Sequence, residues 1–181
     1  MASMRTVVLV DDHGNPLGPA DRDAVHGIDT PLHLAFSCYL FDTRGRVLLS
    51  RRALSKRTWP GVWTNSFCGH PQWGEPMPAA IERHAANELG VRVSAIRELL
   101  PDFRYRAVDS HGTVENEICP VFAAVTHDNI DPNPDEVADW AWVEPAAMVA
   151  AMTATPQVFS PWAVLQISQA SHMFEPSGVA A

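Results

Sequence analysis

Two apolar runs flank a short polar turn in the first third of the chain, LAFSCYLF and RVLLSRR on either side of DTRG, and runs of this length and type bounded by turn residues predict a β-hairpin. RYRAV, TVENEICPVFAAV and DWAWV read as further strands, with the acidic, proline-broken loop DNIDPNPDE between the last two. Ahead of them the period changes. In PMPAAIERHAANELGV the residues Ile81, Ala85 and Leu89 recur at i, i+4 and i+8, which predicts a helix closed by Gly90 as a left-handed cap with Val91 behind it. EPAAMVAAM and SPWAVLQISQASHMF read as two more helices, each with a proline in its first turn. Strands dominate the middle and helices lie between or after them, so the expected class is α+β or mixed α/β. One domain is expected over residues 1–181, with its core at roughly 30–165 and a frayed tail over 173–181.

Composition narrows the function classes. A chain of 181 residues with 46% hydrophobic and 19% charged residues can bury a core without disulfides. MASMRTVVLV holds a four-residue apolar run before Asp11 and Asp12, too short for a secretory segment, and no run reaches the ~18 residues of a membrane span. A cytoplasmic location is expected. Three cysteines without CxxC spacing fit a reducing compartment. A net charge of −8 argues against a nucleic-acid surface, although RRALSKR sets four cations within seven residues, enough for a small anionic ligand.

Candidate chemistry gathers in three places. Glu115 and Glu117 alternate along a predicted strand and so share a face, a costly arrangement unless a metal or a proton lies between them; an exposed acidic edge is the competing reading. His26, His33 and His70 stand on separate segments that a fold could bring together, and three imidazoles with two carboxylates would suit divalent Mn, Fe or Zn. TNSFCGHPQWGE packs Cys68, His70, Glu75 and two glycines into one short segment, open to reading as a metal site, a reactive thiol or a turn.

From that segment onward the chain follows a specific frame. Gly69, Glu75, Arg83, Glu88, Gly90 and Val91 match the Nudix box G-x5-E-x7-R-E-U-x-E-E-x-G-U, while His84 and Asn87 replace two of its glutamates. With TWPGVWTNSFCGHP, LPDFRYRA, VENEICPVF and FSPW in order, the chain resembles the type 1 isopentenyl-diphosphate Δ-isomerase family from His26 to Trp162. That resemblance implies a Nudix-like fold with a mixed sheet flanked by helices and an additional N-terminal segment. It also implies interconversion of isopentenyl and dimethylallyl diphosphate.

Carried over by residue, the resemblance makes Cys68 and Glu117 the acid/base pair, with Tyr105 hydrogen-bonding near Glu117 and Trp162 facing the hydrocarbon. It makes His26, His33, His70, Glu115 and Glu117 the ligands of one Mn²⁺ or Zn²⁺, and Glu88 with the Cys68 carbonyl the holders of one Mg²⁺. Arg22, Arg52 and Lys56 would meet the diphosphate. The implied partner is a prenyl diphosphate, with no nucleic acid or membrane, and monomer and homodimer both remain open. The competing enzyme reading is a Nudix diphosphohydrolase, and a third is a metal-stabilised binding module without activity.

Overall fold

Thr6–Val10 (β1) and Pro16–Asp21 (β2) form an antiparallel hairpin at the start of residues 6–174, which the computed structural model describes. A short helix, Arg22–Val25 (α1), follows, capped by the Asp21 side chain. His33–Leu34 (β3) and Phe36–Phe41 (β4) come next, then Val47–Arg52 (β5), Trp63–Thr64 (β6) and Phe67–Gly69 (β7). Met77–His84 (α2) leads through a π-helical turn, Ala85–Leu89, to Ser94–Leu100 (β8), Arg104–Val108 (β9), Val114–Ile118 (β10) and Val121–Val125 (β11). Val137–Val143 (β12), Pro145–Ala154 (α3) and Pro161–Ala170 (α4) complete the order, with 3₁₀ turns at Pro156–Val158 and Ser171–Phe174.

Three turns share one design. Asp11, Asp42 and Asp109 each begin an Asp-x-x-Gly turn whose glycine has a positive φ of 82°, 79° or 84°. In each, the aspartate Oδ1 accepts from the backbone N–H groups two and four residues on. Asn15 and Arg46 then bond the remaining oxygen of Asp11 and Asp42, whereas Asp109 Oδ2 is buried without a partner.

The predicted hairpin around DTRG forms but opens after one pair, Phe41↔Val47. Beyond it β7 takes the free edge of β4 and β6 takes that of β5. Polar side chains make this wedge possible: Ser66 Oγ donates to Leu48 O and accepts from Leu40 N, and Asn65 Nδ2 donates to the carbonyls of Cys38 and Phe67. The TNSFCG stretch therefore lies between two strands that its neighbours in sequence would otherwise pair.

TVENEICPVFAAV also departs from a single run. β10 belongs to a five-stranded sheet ordered β2-β1-β3-β10-β9, and β11 to a seven-stranded sheet containing β12-β5-β4-β11-β8. Pro120, which has no N–H to donate to a ladder, sits at the crossing. β3 and β4 cross beside it at Ala35, parallel to β10 and β11.

The seven-stranded sheet is covered on both faces. Along β4, Tyr39 and Phe41 pack with Met148, Met152 and Ile167 of α3 and α4, while Phe36, Cys38 and Leu40 pack with Ile81, Ala85 and Leu89 of the α2 side. The predicted i, i+4, i+8 stripe is thus fully buried, although its last turn is π-helical, and Gly90 closes it at φ 67°. Of the tail expected to fray over 173–181, Phe174 is buried against Tyr39 and Phe41, and residues 175–181 lie outside the described residues, as do residues 1–5. Among the described residues no helix is long and apolar enough to cross a membrane.

Candidate active site

Where the two sheets meet, a cavity of about 380 Å³ is lined by Cys68, His70, Glu88, Tyr105, Glu117 and Trp162 together with the cations Arg22, Arg52 and Lys56. At one side His26, His33, His70 and Glu117 converge, with a ligand atom of each within 4.8 Å of the others. Strand pairing explains half of this, because β10 and β3 are parallel neighbours in which Glu117 and His33 stand opposite. His26 arrives at the end of α1 and His70 directly after β7.

Backbone carbonyls orient the imidazoles. His26 Nδ1 donates to Arg22 O and His33 Nδ1 to Pro31 O, both at 2.9 Å, so the Nε2 lone pairs of both rings are left for the cluster. His33 Nε2 is 3.2 Å from His70 Nε2, which is 3.0 Å from Glu117 Oε1. Burial pushes the His70 imidazole down to about 3, against the pull of Glu117. Burial alone would raise the Glu117 carboxyl, but its close contacts with the His33 and His70 imidazoles outweigh it and hold the group well below the usual range.

Glu115 stands at the rim of the cluster. Its Oε1 accepts from Thr58 Oγ1 at 3.0 Å, and its Oε2 is 3.2 Å from His26 Nε2, yet both of those facing atoms are buried without a hydrogen-bond partner. Buried lone pairs aimed at each other are costly, and a cation between them removes the cost. The donors present, three imidazole nitrogens and carboxylate oxygens, fit a first-row divalent metal.

Cys68 sits on the opposite wall. Its Sγ lies 3.2 Å from Ser37 Oγ and 3.3 Å from Asn65 Oδ1, and burial pushes the thiol up to about 11 in spite of both contacts. Ser37 accepts from Gln166 Nε2, whose amide oxygen in turn accepts from Tyr39. Trp162 is buried and donates from its indole N–H to the same Asn65 oxygen. Asn65, Ser37 and Gln166 were not singled out from the sequence. Ser37 lies in β4, Asn65 in the bend between β6 and β7 and Gln166 in α4, and no spacing in the sequence links these three buried polar residues.

Other expected residues reach the cavity and make contacts there of their own. Tyr105 faces Glu117 directly across β9 and β10, but among the described residues its hydroxyl makes no hydrogen bond to that carboxylate. Its ring instead lies 5.8 Å from the Trp162 ring. Arg52 donates to the carbonyls of Thr58 and Trp59 and lies 5.4 Å over the indole of Trp162, so much of its guanidinium is already engaged. Lys56 is paired with Glu136. Arg22 has no ion pair among the described residues. The box residues Arg83 and Glu75 form a two-point ion pair, and Arg83 also donates to His70 O, which fastens the loop after β7 to α2.

The NUDIX domain family matches residues 31–163, most of the chain. Among curated proteins, the isopentenyl-diphosphate Delta-isomerase of Paenarthrobacter aurescens is 56% identical over 169 residues, which cover 93% of this chain and 92% of that one. That of Leifsonia xyli is 54% identical over 176 residues, 95% of each. The chain belongs to the isopentenyl-diphosphate Delta-isomerase family. Solved structures agree with the fold: one from Deinococcus radiodurans superposes with a TM-score of 0.68 at 21% identity, covering 91% of this chain and 98% of its own. A MutT protein from Methanosarcina mazei gives 0.61 at 15% identity, covering 78% and 94%. The expected Nudix-like α/β architecture is therefore correct, and within it the cavity is built by the two sheets together.

Proposed function

We infer that this protein interconverts isopentenyl diphosphate and dimethylallyl diphosphate by adding a proton at one carbon and removing one from another. The observation that carries this reading is the placement of Cys68 and Glu117 on one cavity from two different sheets, with the Trp162 indole at its wall. Protonating an unactivated alkene produces a tertiary carbocation, which water would capture. A half-buried thiol and a buried carboxylate can exchange protons with the two ends of the allyl unit, while the indole face stabilises the cation by about 2 kcal/mol without attacking it.

In this reading Cys68 and Glu117 divide the acid and base work, and Tyr105 packs beside Glu117 to close the pocket. Arg22, Arg52 and Lys56 receive the diphosphate, which requires Arg52 and Lys56 to exchange present partners for phosphate oxygens. His26, His33, His70 and Glu117, with Glu115 at the rim, would hold Mn²⁺ or Zn²⁺, and Glu88 would hold Mg²⁺ against the diphosphate. Such ions supply positive charge that fixes the ligands and offsets the diphosphate. Unpaired cysteines suit a reducing cytoplasm.

The hydrolase reading lacks its machinery, since His84 and Asn87 stand where clustered carboxylates would bind the ions that activate water. The test is to incubate the protein with isopentenyl diphosphate and Mg²⁺ in deuterium oxide. Dimethylallyl diphosphate carrying deuterium, without phosphate release, is expected. Release of phosphate at a rate comparable to isomer formation, or an unlabelled isomer, would overturn the reading.

A further inference from the structure

We propose that His84 is a positioning residue whose single imidazole sets Glu88 at a fixed place relative to the His70 loop, and so spaces one cation site from the other. This rests on the two-cation reading of the site given above. His84 closes α2 and is 9% exposed. Its Nε2 accepts from the backbone N–H of His70 at 3.3 Å, so the ring hydrogen lies on Nδ1, which donates to Glu88 Oε1 at 2.7 Å. The ring also packs edge-to-face on Phe36, with centroids 5.4 Å apart.

Gly69 supplies an independent observation. A β-carbon there would lie 2.4 Å from His84 Cδ2, and its φ is not in the left-handed region, so the glycine is required by the ring beside it and not by its own backbone. Space has been cleared for this imidazole in the strand that carries Cys68. The π-helical turn over Ala85–Leu89 begins right after the ring and carries Glu88.

A glutamate at position 84, as in the Nudix box, could accept from His70 N–H but would have no hydrogen for Glu88. The imidazole does both. Bonded through Oε1, Glu88 keeps Oε2 without a protein partner among the described residues, and the residue lines both the main cavity and a neighbouring one of about 320 Å³ shared with Arg22 and Arg83.

The test uses full-length protein loaded at its histidine site, with Mn²⁺ titrated in the presence of inorganic pyrophosphate and free Mn²⁺ read by electron paramagnetic resonance. His84→Met keeps the bulk and loses both hydrogen bonds; His84→Gln keeps a donor and an acceptor. We expect the Met variant to bind this second Mn²⁺ at least about tenfold more weakly, and the Gln variant to stay within about threefold of wild type. Met binding as wild type does, or Gln as weak as Met, would overturn the proposal. Should the Met variant not fold, ¹⁵N NMR of the wild-type imidazole decides: hydrogen on Nδ1 supports the bridge, and hydrogen on Nε2 removes it. Neither readout needs turnover, so an inactive wild type would remove the isomerase reading while leaving these measurements valid.

Discussion

The Trp162 indole N–H donates to Asn65 Oδ1 at 3.1 Å, and that oxygen also lies 3.3 Å from Cys68 Sγ. One buried amide thus fixes the thiol and the indole relative to each other. Its other end donates to the carbonyls of Cys38 and Phe67. Asn65→Leu should leave several buried groups unpaired and lower stability by about 3 kcal/mol in urea unfolding. Turnover should fall further than KM rises, because the substrate still binds a misaligned site. A loss below ~1 kcal/mol with normal turnover would show that Asn65 does not organise the wall.

Cys68→Ala removes few atoms and a proton carrier. Turnover should drop by at least about a thousandfold, while stability changes by less than about 1.5 kcal/mol; activity within tenfold of wild type would exclude the thiol from the chemistry.

The thiol itself should show its environment. With Cys68 pushed up to about 11, the thiolate is the minor form below that value, so alkylation of metal-stripped protein by iodoacetamide should rise about tenfold per pH unit from 8 to 10. Cys38 and Cys119, buried and held well above the usual thiol range by that burial, should stay unlabelled. A flat profile at Cys68 would mean that its ionisation is not suppressed.

At the histidine cluster, His33→Ala removes a fully buried imidazole that faces both His70 and Glu117. Transition metal per chain, counted by elemental analysis, should fall at least about tenfold. Unchanged content in both His33→Ala and His26→Ala would dissolve the site.

Asp109 Oδ2 lacks the partner that Asn15 and Arg46 provide in the two sister turns. Thr113→Asn places the missing donor at the equivalent position and should raise stability by about 0.5–1 kcal/mol, or about 2–4 °C in melting temperature. An unchanged or lower melting temperature would mean that the third turn cannot accept the Asn geometry.

The α2 stripe, the DTRG turn and the histidine and carboxylate candidates were legible because each follows from local spacing or from ordered motifs. The β1–β2 hairpin was less so: Pro16, Gly18 and Pro19 weaken its strand pattern, and it is held by pairing with β1. The opening of the β4–β5 hairpin was hidden because Ser66 and Asn65 replace ladder bonds with side-chain bonds, a choice no alternation records. Within the site, the residue types were readable but their partners were not. Arg52 looks like a free cation in RRALSKR, and only the fold reveals that Thr58 and Trp59 occupy it.

The double crossing at Ala35 and Pro120 has a mechanical consequence. Cys68 rides on β7, which is paired to β4 in one sheet, and Glu117 rides on β10 in the other, so the gap between them is set by the angle of two plates joined at adjacent creases. Like the jaws of a caliper, the two groups move apart or together when the plates rotate, even if neither side chain changes rotamer. Substitutions at Ala35, which lines the cavity beside the crossing, should therefore alter the proton-transfer rate more than substrate affinity, so that kcat falls more than KM rises.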